Sequence, residues 1–263
     1  MADQLNPADV NTVAAFLSAE DVPDLLHAEP VDCLVLCVSA VLHSADAVFT
    51  ALEARPHLTN TLVICGGIGH STPFLYDAIS RHPRYQEIYP AIDGLPEAQV
   101  LLHVFDRFYD SDAIRQAGVT VLVEDRSTNC GANAIETHAL LQRHRLPSPR
   151  TLLVVQDPTM ARRTVASFEK AFDATPRILS CPTFVPQVQR AGSELVYRAA
   201  AMDLAGLWEL PRFLDLLLGE VPRLRDDAHG YGPSGKRFIA HVDVPEAVEQ
   251  AWVRLCDCVV RGR

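Results

Sequence analysis

Short, continuous runs of apolar residues dominate the first two thirds of the chain. Five runs, rich in β-branched residues or leucine, cover residues 32–38, 61–65, 119–123, 151–155 and 177–181. The first four are hydrophobic throughout, a pattern typical of parallel strands covered on both faces. The pattern predicts an open parallel sheet of about five strands.

The intervals between these runs have apolar residues at helical spacing. These segments are residues 43–54, 72–81, 96–109, 131–145 and 159–172. Ser71, Thr72 and Pro73 form a favourable helix start, in which a hydroxyl cap precedes a proline of the first turn. Strands that alternate with helices through right-handed crossovers place helices on both faces of the sheet. The predicted fold class is therefore α/β and Rossmann-like.

The two chain ends differ from this core. Residues 1–27 look helical, and the last third has helical stretches at 204–218 and 245–260 but no convincing central strand. We expect a smaller, mainly helical domain formed by both ends. The expected division is a Rossmann-like ligand-binding domain over residues 28–192 and a helical cap domain over residues 1–27 and 193–263.

Composition and charge narrow the function classes. The 263 residues are 48% hydrophobic and 21% charged, which is ordinary for a soluble globular protein, and the formal net charge is -10. An acidic chain is disfavoured as a partner of nucleic acid or of a membrane surface.

No apolar segment reaches the ~18–20 residues of a spanning helix, and the N-terminus lacks a basic signal region, so we expect a cytoplasmic protein. The seven cysteines are expected to be reduced thiols, and no zinc spacing predicts a metal site.

Polar residues gather where the predicted strands end. Ser39 and Ala40 follow the first run, residues 66–72 the second, 124–133 the third and 156–163 the fourth. In open α/β sheets, ligands bind beyond the carboxyl ends of the strands. These loops therefore predict one polar pocket for a nucleotide-like small molecule.

The glycine-rich loop is the first candidate. Glycines let a backbone approach a ligand without a β-carbon in the way, and the helix that follows offers free N–H groups. Its spacing matches neither of the standard phosphate-binding patterns, so a plain strand-to-helix turn is the alternative. The candidate residues are Gly66, Gly67, Gly69, His70, Ser71 and Thr72.

The loop after the third run brings acids and amides. Glu124 and Asp125 are suited to accept hydrogen bonds from ribose hydroxyls, or they cap a helix with nothing bound. Glu97, at the start of the preceding helix, is either a first-turn acid or points into the pocket. Ser127, Thr128, Asn129 and Asn133 enter the next helix, and they line the pocket or form a cap with Asn133 solvated.

The loop after the fourth run contains Asp157, Thr159, Arg162 and Arg163. Cations are unfavourable in the first turn of a helix, so at least one arginine is expected to bind a phosphate or carboxylate. The alternative is an ion pair with Asp157 or Glu169.

A long loop near the C-terminus is dense in charge, and it is either a lid or a solvated connection. His70, His229 and His241 are acid–base candidates, although a lone histidine is more often structural. No catalytic residue is assigned.

Four ordered motifs resemble one family. They are GGIGHST at 66–72, EDRSTNCG at 124–131, QDPTMARRT at 156–164 and PRLRDDAHGYGP at 222–233. Together they resemble the bacterial ElyC/SanA/YdcF family, over nearly the whole chain. Two departures are Val38, where relatives usually carry glycine, and Thr159, where the wider family tends to have histidine.

The resemblance implies a Rossmann-like domain with a smaller helical domain, and binding of S-adenosyl-L-methionine without an established reaction. The residues it places in the pocket are Gly66, Gly67, Gly69, His70, Ser71, Glu97, Glu124, Ser127, Asn129, Asn133, Asp157 and Arg162.

Three hypotheses remain open. The first is a protein that binds S-adenosylmethionine or a related nucleotide, as a transferase of an unidentified substrate or without turnover. The second is an enzyme acting on a phosphorylated or glycan-lipid envelope precursor, with Arg162 on the phosphate. The third is a non-catalytic regulator. The sequence does not indicate the oligomeric state.

Overall fold

A five-stranded parallel sheet forms the centre of the protein. The structure is a computed structural model, and it describes residues 5–173, 176–198 and 206–261. The strands are β1 Val31–Cys37, β2 Thr59–Cys65, β3 Thr120–Glu124, β4 Thr151–Val155 and β5 Arg177–Cys181. Their order is β3-β2-β1-β4-β5, with every neighbouring pair parallel. The predicted α/β fold class is confirmed.

The apolar runs are continuous because helices cover both faces of the sheet. Leu34 and Leu36 pack on one face, whereas Cys33 and Val35 pack on the other. All four side chains are buried. Alternate side chains of a strand point to opposite faces, so a strand between two helical layers needs apolar residues at every position.

Some helices pack on the two faces of the sheet, and others pack together away from it. They are α1 Pro7–Ser18, α2 His43–Ala54, α3 Thr72–Arg81, α4 Glu97–Phe108, α5 Ser111–Gln116, α6 Cys130–Arg143, α7 Ala161–Ala171, α8 Leu210–Leu224 and α9 Glu246–Arg261. Buried residues of α2 to α5 belong to the core of one sheet face, and those of α6 and α7 to the core of the other. The short helix α5 has no counterpart in the sequence analysis.

A separate apolar cluster joins the two chain ends. Buried residues of α1, α8 and α9 pack together there, with Ala166 of α7 connecting the cluster to the sheet layers. Arg254 of α9 donates two hydrogen bonds to the Asp9 carboxylate of α1, at 3.0 and 2.7 Å. A hairpin of β6 Val188–Ala191 and β7 Glu194–Tyr197 also contributes. This hairpin straddles residue 192, where the expected domain boundary lies, and the division into domains stays a prediction.

Helix α8 runs further than expected because a distant side chain compensates for its proline. The spacing predicts a helix over 204–218, of which residues 204 and 205 lie outside the described residues. The observed helix extends to Leu224 and passes through Pro222. Proline has no N–H to donate to the carbonyl four residues earlier. That carbonyl, of Leu218, instead accepts the indole N–H of Trp252 at 2.9 Å.

In the described part of the chain, none of the helices combines the length and the apolar character that crossing a bilayer requires.

Candidate functional site

The strand order places a topological switch point between β1 and β4. From β1 the chain proceeds to β2 and β3 on one side, and then returns to add β4 and β5 on the other. Ligands of doubly wound sheets bind in the crevice at such a point. Ser39 follows β1 and Asp157 follows β4, and the hydroxyl of Ser39 donates to Oδ2 of Asp157 at 3.4 Å.

A cavity of about 820 Å³ lies at this edge of the sheet. It extends from the switch point across the glycine loop to the first turns of α6 and α8. Ten of the sequence-predicted residues line it: Gly66, Gly67, Gly69, Ser71, Glu97, Ser127, Thr128, Asn129, Asn133 and Asp157. Six others lie outside the lining: His70, Thr72, Glu124, Asp125, Thr159 and Arg162.

The glycines bring two loops together. A β-carbon on Gly67 would stand 2.1 Å from the carbonyl oxygen of Ser127, and one on Gly69 would stand 3.0 Å from that of Thr128. The N–H of Gly67 donates to Oγ of Ser127 at 3.2 Å, and that of Gly66 to the Glu124 carbonyl at 2.8 Å. The demonstrable role of these glycines is therefore close packing of the loop after β2 on the loop after β3.

Glu97 is a buried acid of the lining. Its Oε1 accepts the hydroxyls of Ser71 and Thr72, both at 2.9 Å. Ser71 was expected to cap α3, but it makes no side-chain cap bond, and its hydroxyl donates to Glu97. Burial raises the pKa of Glu97. Of the two interpretations of this acid, the structure favours the one in which it faces the pocket.

Glu124 holds its own loop in place. Its carboxylate accepts the N–H groups of Arg126 and Ser127 at 2.7 and 3.0 Å, and the hydroxyl of Ser127 at 2.6 Å. The thiol of Cys65 lies 3.1 Å from the same carboxylate. Asp125 accepts the side-chain amide of Gln99 at 2.8 Å. Neither acid lines the cavity, so direct contact with a ribose is not their role in this arrangement.

Helix α6 presents its first turn to the cavity. Asn129 is its N-cap, and Oδ1 of Asn129 accepts the N–H of Ala132 at 3.0 Å. Asn133, one turn further, is 7% exposed and also lines the cavity. The sequence analysis left two interpretations of these amides: they line the pocket, or they form a cap with Asn133 solvated. In the structure Asn129 is the cap, and Asn133 is buried and lines the cavity.

Asp157 is the second buried acid of the lining. Its Oδ1 accepts the N–H and the hydroxyl of Thr159 at 2.9 and 2.7 Å, so Thr159 positions the acid from outside the cavity. Burial raises the pKa of Asp157 to about 6, despite the opposing effect of these hydrogen bonds. A carboxyl that titrates near neutral pH and lies in a crevice is characteristic of functional sites.

Both arginines of α7 point away from the cavity. Arg162 donates to the carbonyl of Phe16, and its guanidinium lies 4.2 Å from the centre of the Phe16 ring. Arg163 pairs with Glu220 of α8 through two contacts, at 2.5 and 3.1 Å. The prediction that an arginine here serves an anion inside the pocket is thus not supported. The sequence alone does not give the orientation of α7, whose first turn contacts α1 through Arg162 and α8 through Arg163.

The C-terminal candidates also lie elsewhere. His241 contacts the carboxylates of Asp226 and Asp243 at 2.8 and 3.0 Å, and hydrogen bonds with both raise its pKa. His229 and the rest of residues 222–233 are outside the cavity lining. The long loop is therefore a hydrogen-bonded connection in this structure, rather than a lid.

The lining includes residues that the sequence analysis did not name individually as site residues. Ser39 and Gln156 belong to loops after β1 and β4 from which the pocket was predicted. The others lie on α2, on α8 or just before α8, and had no such signal because none of them directly follows a strand. They are His43, Asp46, Trp208 and Arg212.

Carboxylates dominate the charge of the cavity. Its guanidiniums are those of Arg81 and Arg212, and Arg81 forms an ion pair with Asp77. Arg212 lies 5.4 Å from the ring centre of Phe74 at the rim. The acids of the lining are Asp46, Asp77, Glu97, Asp157 and Glu209.

No protein-family model matches this chain. The resemblance to the ElyC/SanA/YdcF family therefore remains a prediction from the four motifs.

Proposed function

We propose that this protein binds S-adenosyl-L-methionine, or a related nucleoside with positive charge, in the cavity at the carboxyl edge of the sheet. The observation that carries this proposal is the pair of buried acids, Glu97 and Asp157. Neither has a cationic partner within the described ranges of the chain. A buried carboxylate without a counter-charge is costly, and a sulfonium or ammonium group of a ligand would compensate for it.

The size, position and rim of the cavity support this proposal. Its 820 Å³ falls within the range of ~300–1,000 Å³ typical of small-molecule sites, and it lies at the switch point. Phe74 and Trp208 border it and offer aromatic surface to a nucleobase.

The acidic lining argues against a phosphorylated envelope precursor as the ligand. Each phosphate of such a ligand would meet a lining with five carboxylates and two guanidiniums, of which that of Arg81 is already paired with Asp77. Arg162 and Arg163, the expected phosphate anchors, are both engaged outside the cavity.

Asp157 makes a transferase the second candidate. A general base is most effective when its pKa lies near the working pH, and Asp157 is the buried acid at the switch point with a pKa of about 6. In a transfer reaction it would remove the proton of an acceptor hydroxyl or amine. We further propose a cytoplasmic location, because Cys33, Cys37, Cys65, Cys130, Cys181 and Cys256 are free thiols, as is usual in a reducing compartment.

The test is calorimetric titration with S-adenosylmethionine, S-adenosylhomocysteine, ATP and a sugar phosphate. The uncharged thioether of S-adenosylhomocysteine lacks the sulfonium, so we expect the sulfonium compound to bind more tightly. Glu97→Gln and Asp157→Asn should each lower its affinity about 10-fold or more, the usual effect of losing a charge-assisted contact. Glu87→Gln is the matched control, since Glu87 is an exposed acid paired with Arg107.

Tighter binding of the sugar phosphate than of either nucleoside would contradict the proposal. Native mass spectrometry of protein purified without added ligand is an independent check, because a retained S-adenosylmethionine would be identified by its mass.

A further inference from the structure

The first turn of α6 differs electrostatically from the rest of the cavity wall. Thr128, Asn129, Cys130 and Asn133 line the cavity there. The helix has 14 residues, and its first turn contains no acid. The N-terminus of such a helix carries a partial positive charge and favours an anion.

Part of the hydrogen-bonding capacity of this turn is unused. The cap Asn129 satisfies the N–H of Ala132. The N–H groups of Cys130 and Gly131 have no hydrogen-bond acceptor among the residues that the structure describes. Helix N-termini leave such donors for side chains, water or ligands.

The side chain of Asn133 is a second, independent indication of a ligand. It is 7% exposed, lines the cavity, and its amide has no hydrogen-bond partner in the described part of the chain. An amide offers donors and an acceptor together, so one that is unpartnered and lines the cavity is suited to a ligand group.

We propose that the first turn of α6, with the amide of Asn133, is an anion subsite that takes the carboxylate of the ligand's amino-acid portion. This inference rests on the proposed function and adds an orientation to it. The carboxylate lies at α6, and the ammonium and sulfonium groups face the acids Glu97 and Asp157. The cavity thus recognises a ligand that carries both signs of charge, with its carboxylate at the first turn of α6 and its cationic groups at the two buried acids.

Decarboxylated S-adenosylmethionine tests the anion subsite separately from the proposed function, because it keeps the sulfonium and the amine but lacks the carboxylate. We expect the wild-type protein to bind S-adenosylmethionine at least about 10-fold more tightly than the decarboxylated compound. Equal or tighter binding of the decarboxylated compound would overturn the subsite while leaving the proposed function intact. Absence of binding by both compounds would overturn both.

Asn133→Asp is the sharpest variant, since it preserves size and adds a negative charge beside the expected carboxylate. Affinity for S-adenosylmethionine should fall about 10-fold or more, whereas that for the decarboxylated compound should change less than about 2-fold or increase. Asn133→Ser, which removes the amide without adding charge, should have a smaller effect of the same kind. Equal losses for both ligands in Asn133→Asp would refute the subsite. The ligand comparison in the wild-type protein remains decisive if a variant fails to fold.

Discussion

A β-carbon on residue 67 would lie 2.1 Å from the carbonyl oxygen of Ser127, so Gly67 and Ser127 can pack together only while residue 67 is glycine. The obstacle is backbone, which cannot rotate away as a side chain does. The floor of the cavity therefore depends on this contact between the loops after β2 and β3.

Gly67→Ala should destabilise the protein by about 1–3 kcal/mol, as overpacking does, because one of the two loops must shift. The measurement is thermal unfolding, where each kcal/mol corresponds to roughly 2–4 °C in a protein of this size. Gly206→Ala is the matched control, since a β-carbon there would meet no atom within 4 Å. Equal melting temperatures of the two variants would refute the steric explanation.

Asp157 should make stability fall as pH rises. Its pKa is about 6 in the folded protein, against about 3.9 for an unfolded aspartate. Between these values the folded state binds more protons at Asp157, so the contribution of this group to stability is greatest below pH 4 and is lost as the pH rises through 6, by up to about 3 kcal/mol. The raised pKa of Glu97 acts in the same direction.

Denaturant titrations between pH 4 and pH 7 measure this pH dependence of the free energy of unfolding. Asp157→Asn should match the wild-type protein near pH 4 and exceed its stability at pH 7, because the amide never acquires a charge. A wild-type curve as flat as that of the variant would show that Asp157 is not the group responsible.

The two arginines of α7 should differ in their effect on stability. Arg163→Ala leaves Glu220, which is 1% exposed, with one remaining cation, Arg223, and should cost about 3 kcal/mol. Arg162→Ala removes a contact with the Phe16 carbonyl and ring and should cost about 1 kcal/mol.

Urea unfolding measures both effects, and calorimetry should find the ligand affinity of Arg162→Ala within about 2-fold of the wild type. Phosphate release from a substrate that disappears in folded Arg162→Ala would instead support the envelope-precursor hypothesis.

His241 should titrate above the usual histidine range, since its hydrogen bonds with Asp243 and Asp226 raise its pKa. The imidazolium can donate to both carboxylates, but the neutral ring can donate to only one. NMR titration of the ring should show the midpoint falling in Asp243→Asn and further in the double variant with Asp226→Asn. A midpoint that is unchanged in the double variant would contradict the geometry.

Local patterns were sufficient for the sheet because its central strands β2, β1 and β4 are buried on both faces. The predicted run at 151–155 and the observed β4 coincide, and α2 and α3 begin and end where the apolar spacing places them. The α8 extension past Pro222 was not predictable, because the Leu218 carbonyl is satisfied by Trp252 from another helix. The β6–β7 hairpin was missed because its strands are four residues each and largely exposed.

For the residues of the cavity, the position along the chain indicated which loops meet there, but the sequence did not indicate the direction of each side chain. Residues directly after strands, such as Asp157, were identified because parallel strands end at one edge. Arg162 lies outside the cavity lining, which the sequence could not indicate, because the direction of a helix side chain depends on what packs beside the helix. Trp208 reaches the cavity from the chain's last third, and no local pattern in the sequence connects it with the sheet.

The strand order also means that the cavity exists only when the sheet is complete. Gly66 and Ser127 follow β2 and β3 on one side of β1, whereas Asp157 follows β4 on the other side. Strand β4 comes after these three strands along the chain, so the residues before position 151 cannot form the site alone. Ligand binding should therefore report whether β4 has docked against β1.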